Sequence, residues 1–260
     1  MVRPLIVTGA GGRIGRLLRL VWARDAIWLG RAEWDILAGP APALPRGALI
    51  LDLAGMTRRS FDLNPKLADT VGRLAVKLEA RVIHLSSASV YPGGLGEMDE
   101  ATQATPSSGY GTSKLAAESV LRGHVKDATI LRVGNIAGAD AVLGPRPPGA
   151  IVLDPVPGGL RGPVRSYIGP QVLAGALGHL CDKAVRDDPM PLLMNMSQPG
   201  QIDMADLMDA AGLDWTFGPP RAGVLARVVL STALQSAYLT LPEAKAAGLV
   251  ADLRTLRGWP

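Results

Sequence analysis

The sequence predicts an α/β fold, a doubly wound parallel sheet followed by a smaller C-terminal lobe. Three observations carry this expectation. Short apolar runs alternate with stretches of helical periodicity through the first half of the chain. A glycine-rich turn joins the first apolar run to the first helical stretch. After Asn135 the alternation stops and glycine and proline take over.

Residues 4–7, Pro-Leu-Ile-Val, read as the first strand, because a short unbroken apolar run is what a strand covered on both faces shows. Residues 13–23 carry Ile14, Leu17, Leu18 and Val21 at helical spacing. Strands are expected over 26–29 and 48–53, a helix over 64–80, and a fourth strand over 81–86. A helix over 108–125 and a fifth strand over 129–133 complete the alternation. Between 138 and 170, Pro145, Pro147, Pro148, Pro155, Pro157 and Pro163 forbid long regular elements. Helical patterns return over 171–184 and 203–211. The expected division is 1–138 and 139–260, the second part partly interleaved with the first.

Composition removes several function classes. With 260 residues and 48% hydrophobic content the chain can bury a sizeable core. Its 27 Lys+Arg against 23 Asp+Glu give a formal net charge of +4, and the basic residues are scattered rather than massed in a stripe, which argues against nucleic acid as a partner. The single cysteine, Cys181, excludes an internal disulfide framework and a cysteine-cluster metal site. Its three histidines have no metal-ligand spacing, so no metal is expected. No stretch reaches the ~18–20 uninterrupted apolar residues of a membrane span, and no secretory signal precedes the first strand. The expected location is the cytoplasm.

Three motifs carry chemistry. Thr8-Gly9-Ala10-Gly11-Gly12-Arg13-Ile14-Gly15 lies where the first strand turns into a helix, with Gly9, Gly12 and Gly15 at three-residue intervals. Such a turn lets backbone approach a pyrophosphate, and the helix N-terminus offers that anion N–H groups and a partial positive charge. Glycine triplets also occur in ordinary turns; the position after the first strand is what gives this one meaning. In Tyr110-Gly111-Thr112-Ser113-Lys114, Tyr and Lys share one helix face. A phenol ionises near pH ~10, and a neighbouring ammonium would stabilise phenolate. An exposed Tyr and Lys on a surface helix would show the same spacing. Ser86-Ser87-Ala88-Ser89-Val90-Tyr91 follows the fourth strand, where open α/β sheets bind ligands. A serine there can bond a substrate oxygen as charge builds on it, or simply cap a turn.

The order and spacing of these motifs, over roughly residues 4–175, resemble the extended short-chain dehydrogenase/reductase family of Rossmann-like enzymes. That family includes sugar-nucleotide epimerases, dehydratases and dehydrorhamnose reductases. Thr8–Gly15 is similar to its glycine turn, Ser86–Tyr91 to its Ser-Ser-x-x-Val-Tyr and Tyr110–Lys114 to its Tyr-x-x-x-Lys. Leu131-Arg132-Val133-Gly134-Asn135 with Gly138 is similar to its Leu-Arg-x-x-Asn-x-x-Gly. The resemblance implies an NAD(P)-dependent enzyme with Ser87, Tyr110 and Lys114 as its catalytic set. Tyr110 would exchange a proton with a carbinol or carbonyl oxygen. Lys114 would lower its pKa and hold the nicotinamide ribose, and Ser87 would hold the reacting oxygen. Cofactor contacts would come from Gly9, Gly11, Gly12, Arg13, Ile14 and Gly15, from Asp35 and Ile36 at the adenine, from Leu53, Ala54 and Gly55, and from Val133. Ser87, Ser89, Asn135 and Arg165 would meet the substrate, and Asn64 would match a helix asparagine of the family. Residues 1–138 become the dinucleotide-binding region and 139–260 the substrate lobe. The resemblance also implies a possible homodimer through the helices over 64–80 and 108–125.

Departures from the family pattern narrow the reading. The second strand ends in Leu29-Gly30-Arg31 with no acid until Glu33, so Arg31, helped by Arg13, favours NADP over NAD. A dehydratase is not expected, because Ser87-Ala88-Ser89 lacks the two carboxylates that the family's dehydratases carry there. In Gly162-Pro163-Val164-Arg165-Ser166-Tyr167-Ile168, Arg165 suits a substrate diphosphate. The stretch between Asn135 and Arg165 is short for a sugar-nucleotide pocket, which leaves a smaller carbonyl compound open. The expectation is thus an oxidoreductase or epimerase acting on a sugar or sugar-nucleotide-like substrate. The alternative is a non-catalytic NAD(P)H sensor, although such relatives lose the tyrosine or lysine. A hydrolase is disfavoured by the absence of a Gly-x-Ser-x-Gly elbow. In the last third, Arg221, Arg227 and Tyr238 read as surface or packing residues, and Trp215, Phe217 and Trp259 as anchors of the lobe.

Overall fold

A computed structural model describes residues 3–57, 59–94, 96–146, 149–156, 161–256 and 258. Its centre is a six-stranded sheet of β1 (Leu5–Thr8), β2 (Ile27–Leu29), β3 (Leu49–Asp52), β4 (Arg81–Ser87), β5 (Thr129–Val133) and β6 (Leu193–Met196). All pairs are parallel, in the order β6-β5-β4-β3-β1-β2. The helices α1 (Arg13–Val21), α2 (Asn64–Leu78), α3 (Gly109–His124) and α4 (Pro170–Val185) cover its two faces. The chain steps outward from β1 to β2 and then crosses back to β3 on the other side of β1, so the direction of winding reverses between β1 and β3. A crevice opens beyond the carboxyl ends of strands at such a reversal.

Two-sided burial explains why the strands are legible as unbroken apolar runs. Leu5, Val7, Leu49, Leu51, Ile83 and Leu131 pack with Leu18 of α1 and Leu173 and Leu177 of α4. The alternate residues Ile6, Ile50, Val82 and Ile130 pack with Ala68 and Val71 of α2 and Ala117 and Leu121 of α3. Helix limits follow local chemistry. Pro65 stands in the first turn of α2, and Glu79 ends that helix in the left-handed region at φ 53°. Ser108 caps α3 by accepting the Gly111 N–H at 3.1 Å.

Beyond β5 the Gly/Pro-rich segment forms only short strands, among them Ile151–Leu153, Val164–Arg165 and Tyr167–Ile168. A small four-stranded sheet gathers Ile202–Asp203, Val164–Arg165, Arg227–Leu230 and Glu97–Met98 in that order. Three further helices are α5 (Met204–Ala211), α6 (Ala233–Ser236) and α7 (Ala246–Arg254). Asp252 of α7 accepts the Gln171 and Val172 N–H groups at 3.2 and 3.4 Å, tying the end of the chain to the first turn of α4. Trp215 packs at the edge of the lobe core and meets Phe217 edge-on at 5.2 Å, while Phe217 itself is exposed. Trp259, Pro147, Pro148 and Pro157 lie outside the described residues. The segment after residue 138 supplies β6 to the edge of the central sheet and α4 to one of its faces. Among the described residues, no helix is long and apolar enough to cross a membrane.

Candidate active site

The turn between β1 and α1 depends on its glycines. Gly9 has φ +67°, and a Cβ there would lie 2.7 Å from the Leu53 carbonyl carbon and the Ala54 nitrogen. The turn therefore passes directly over the end of β3. At Gly15 a Cβ would lie 2.5 Å from the Ala10 Cα, so α1 rests on the turn it follows. No side chain caps the first turn of α1. A helix N-terminus without a side-chain cap is the kind of site that suits an anion.

Two adjoining cavities run along this turn. One of about 390 Å³ is lined by Gly9, Gly11, Gly12, Arg31, Asp35, Ile36 and Leu53 to Met56, among others. The other, of about 330 Å³, is lined by Gly9, Gly12, Arg13, Ile14, Leu53, Ala54, Gly55, Ser87, Ser89, Tyr110, Lys114, Val133 and Asn135, with Thr57 and Asp140 beside them. Glycines at the junction, a bare helix N-terminus and two chambers in line fit a dinucleotide whose pyrophosphate sits over the turn.

The Ser–Tyr–Lys group converges because two backbones touch. β4 ends at Ser87, whose hydroxyl accepts the Ser89 N–H at 3.2 Å as the chain turns. A Cβ on Gly111 would lie 2.1 Å from the Ser89 carbonyl oxygen, so the first turn of α3 presses against that serine turn. Gly111, inside Tyr110-Gly111-Thr112-Ser113-Lys114, is thus what lets the tyrosine reach the serine, a role invisible in a spacing of Tyr and Lys. Tyr110 and Ser87 lie within hydrogen-bonding reach, and burial raises the phenol above its ordinary pKa more than that bond lowers it.

Here the expectation that Lys114 lowers the Tyr110 pKa is corrected. The Lys114 ammonium donates to the Leu85 carbonyl oxygen at 2.6 Å and lies 3.4 Å from His84 Nε2, facing the sheet. Burial lowers the lysine's own pKa, and the charges of Asp52 and Glu118 oppose that. Asn64 is buried, accepts the Met56 N–H at 2.7 Å and donates to Ser113 Oγ at 3.0 Å, pinning the cavity wall to α3.

Arg165 is the candidate that the fold does not bring to the cavities. Its guanidinium donates to the carbonyls of Val164 at 2.8 Å and Leu225 at 2.7 Å, and it lines neither chamber. The turn before Arg227 supplies the Leu225 carbonyl, a contact no local pattern reveals. Gly15 likewise lines neither chamber and acts through packing. Arg31 is exposed, 4.0 Å from Asp35, while Glu33 folds back to accept the Gly30 N–H at 2.8 Å. Arg221 pairs with Asp154 at 2.6 Å, Arg227 bonds Gln201, and Tyr238 packs on the sheet core. Sequence reading missed Asp140, which accepts the N–H groups of Val142, Leu143 and Gly144 on one oxygen and whose carboxyl burial pushes up. It also missed Asp52 and His84 beneath Lys114. Among the described residues, no group of three or more His, Cys, Asp and Glu could hold a metal.

Residues 52–151 match the model of the NAD dependent epimerase/dehydratase family, in accord with the resemblance drawn from the motifs. No curated protein matches the sequence. Solved structures share the fold. One is a variant of the UDP-glucuronic acid 4-epimerase from Bacillus cereus in complex with UDP-4-deoxy-4-fluoro-glucuronic acid and NAD (TM-score 0.74, 16% identity, 96% of this chain and 98% of that one). Another is a dTDP-4-dehydrorhamnose reductase from Clostridium acetobutylicum (TM-score 0.72, 15% identity, 97% and 99%). A third is DesIV, the dTDP-glucose 4,6-dehydratase from Streptomyces venezuelae with NAD and TYD bound (TM-score 0.73, 19% identity, 98% and 98%). A dehydratase stands among these neighbours, so the fold itself does not select between reaction types.

Proposed function

We propose that this chain, whose residues 52–151 carry the signature of the NAD dependent epimerase/dehydratase family, is an NAD(P)-dependent oxidoreductase or epimerase acting on a sugar or sugar-nucleotide-like substrate. The observation that carries the proposal is the convergence of Ser87, Tyr110 and Lys114 on one cavity that continues past the glycine turn. The nicotinamide supplies hydride exchange at a carbinol or carbonyl carbon. Ser87 holds the substrate oxygen through its hydroxyl, and Tyr110 gives or takes the proton at that oxygen. Lys114 would hold the nicotinamide ribose hydroxyls, and the backbone near Val133 would help hold the nicotinamide. Asn135 and Ser89 orient the substrate; a role for Arg165 would require its guanidinium to leave the carbonyls that now hold it.

Arg31 at the mouth of the adenine-side chamber favours NADP, since a guanidinium matches a 2′-phosphate. Titration with NADPH and NADH, read by nicotinamide fluorescence, tests both the site and the preference. NADPH should bind more tightly, and Arg31→Ala should cost about tenfold for NADPH with little change for NADH. Equal loss for both cofactors would remove the 2′-phosphate role, and binding of neither would remove the cofactor site. The same reading has the enzyme working in the cytoplasm, with two copies pairing through α2 and α3. Light scattering on the eluting protein should give twice the mass of the chain; a single-chain mass would exclude the pair.

A further inference from the structure

Beneath the cavity, on the sheet side of Lys114, lies a row of buried polar groups that the proposed chemistry does not use. Thr8, Asp52 and His84 stand side by side on β1, β3 and β4, in register across the sheet. They occupy the same face as Ile6, Ile50 and Val82, two residues further along each strand, so the apolar face under α2 and α3 turns polar at its carboxyl edge. Asp52 is 1% exposed, His84 2% and Lys114 4%. Asp52 Oδ1 accepts the Thr8 hydroxyl at 2.6 Å and the Ala54 N–H at 3.1 Å, and Oδ2 lies 2.6 Å from His84 Nδ1. His84 Nε2 lies 3.4 Å from Lys114 Nζ.

With Lys114 protonated, donor counting assigns the remaining protons. An ammonium can only donate, so His84 Nε2 accepts and Nδ1 carries the hydrogen that Asp52 receives. The row is then a carboxylate, a neutral imidazole and an ammonium. We propose that Asp52 and His84 are positioning residues for Lys114, an internal counter-charge that keeps the lysine protonated and fixes its ammonium at the floor of the cavity. The inference rests on the reading of Lys114 as the residue that holds the cofactor ribose.

The other groups facing Lys114 do not fill this role. On its own helix, Tyr110 stands one turn before it and Glu118 one turn after. Glu118 is bound to Arg132 of β5 at 2.8 and 3.1 Å and to the Ser86 hydroxyl of β4, so its charge is already matched. The Asp52 charge, by contrast, acts on His84 and Lys114. Burial alone would raise the Asp52 carboxyl, but His84, Thr8 and Lys114 together hold it below the usual carboxylate range. Burial lowers the Lys114 pKa, and the charges of Asp52, first, and Glu118 raise it. Removing the Asp52 charge therefore moves loss of the Lys114 proton to lower pH.

The test follows NADPH and NADH affinity by fluorescence from about pH 6 to about pH 10 in wild type, Asp52→Asn and His84→Gln, with Lys114→Gln as the uncharged limit. The alkaline fall in affinity should move down by about one pH unit or more in Asp52→Asn and His84→Gln, a roughly tenfold loss of charged Lys114 at fixed pH above the midpoint. Lys114→Gln should bind weakly at every pH. An unshifted profile in folded Asp52→Asn overturns the proposal. Imidazole nitrogen NMR on the wild type gives a second arm that needs no cofactor and no variant that folds poorly. The chain has three histidines, so the His84 signal is separable. A neutral ring with hydrogen on Nδ1 throughout the range supports the row; hydrogen on Nε2, or a ring that charges near pH ~6.5, overturns it. If wild type binds neither cofactor, the proposed function falls, while the NMR arm still decides the Asp52–His84–Lys114 arrangement.

Discussion

Tyr110→Phe is expected to slow turnover by about 10²–10⁴-fold, the usual contribution of a positioned general acid or base. The substitution removes only the phenolic oxygen. The aromatic ring is retained, so NADPH and NADH should bind as in wild type. Turnover is followed by nicotinamide absorbance on a panel of sugars and sugar nucleotides carrying a free carbinol or ketone. The unaltered cofactor affinity separates this variant from Lys114→Gln, which should lose both binding and rate. In the unliganded protein the Tyr110 phenol lies above its ordinary pKa because burial dominates, and the Lys114 charge faces Leu85 and His84. On the proposed mechanism, Lys114 would hold the cofactor ribose and Tyr110 would exchange the proton at the substrate oxygen. Wild-type turnover in Tyr110→Phe would end the proposed mechanism, whatever the cofactor does.

Glu118→Leu is expected to lower folding stability by about 3–5 kcal/mol, the range for leaving one member of a buried ion pair without its partner. Glu118 and Arg132 are both buried and meet through two guanidinium nitrogens. Arg132 also lies over the Tyr91 ring at 4.8 Å, and the Tyr91 hydroxyl donates to Asn195 of β6 at 2.9 Å. The loss of one carboxylate thus strands a guanidinium in the middle of a network that joins α3, β5 and β6. Since domains of this kind carry roughly 5–15 kcal/mol in all, the midpoint of urea unfolding should fall far enough to see at once. The double variant Glu118→Leu with Arg132→Met should recover much of the loss, because no unpaired charge remains. A single variant within about 0.5 kcal/mol of wild type would show that water reaches Arg132 and that the pair is not dry.

Much of the site is legible in the chain because it depends on short-range chemistry. The strands announce themselves through Leu5-Ile6-Val7 and Leu49-Ile50-Leu51, whose two faces are both covered. The glycine turn follows from Gly9 and Gly15, where only hydrogen fits, and Tyr110 and Lys114 share a face by helical spacing alone. β6 escapes the same reading. Leu193-Met194-Asn195-Met196 carries a buried amide that is satisfied only from afar, by the Met98 carbonyl and the Tyr91 hydroxyl. The cofactor preference read from Arg31 is open to a neighbour as well, since Glu33 turns back to the Gly30 N–H within the same loop.

By itself, then, the sequence determined β1 to β5 with α1 to α4, the glycine turn and many of the residues that line the crevice, because propensity, backbone sterics and helical or strand periodicity act over a few residues. The tertiary structure decided what those residues face. Arg165 is held by carbonyls about sixty positions away, and Lys114 is matched to Asp52 through His84 by the register of two parallel strands. Such pairings are set by packing between distant segments, where burial makes every polar group find a partner and no local pattern records which one.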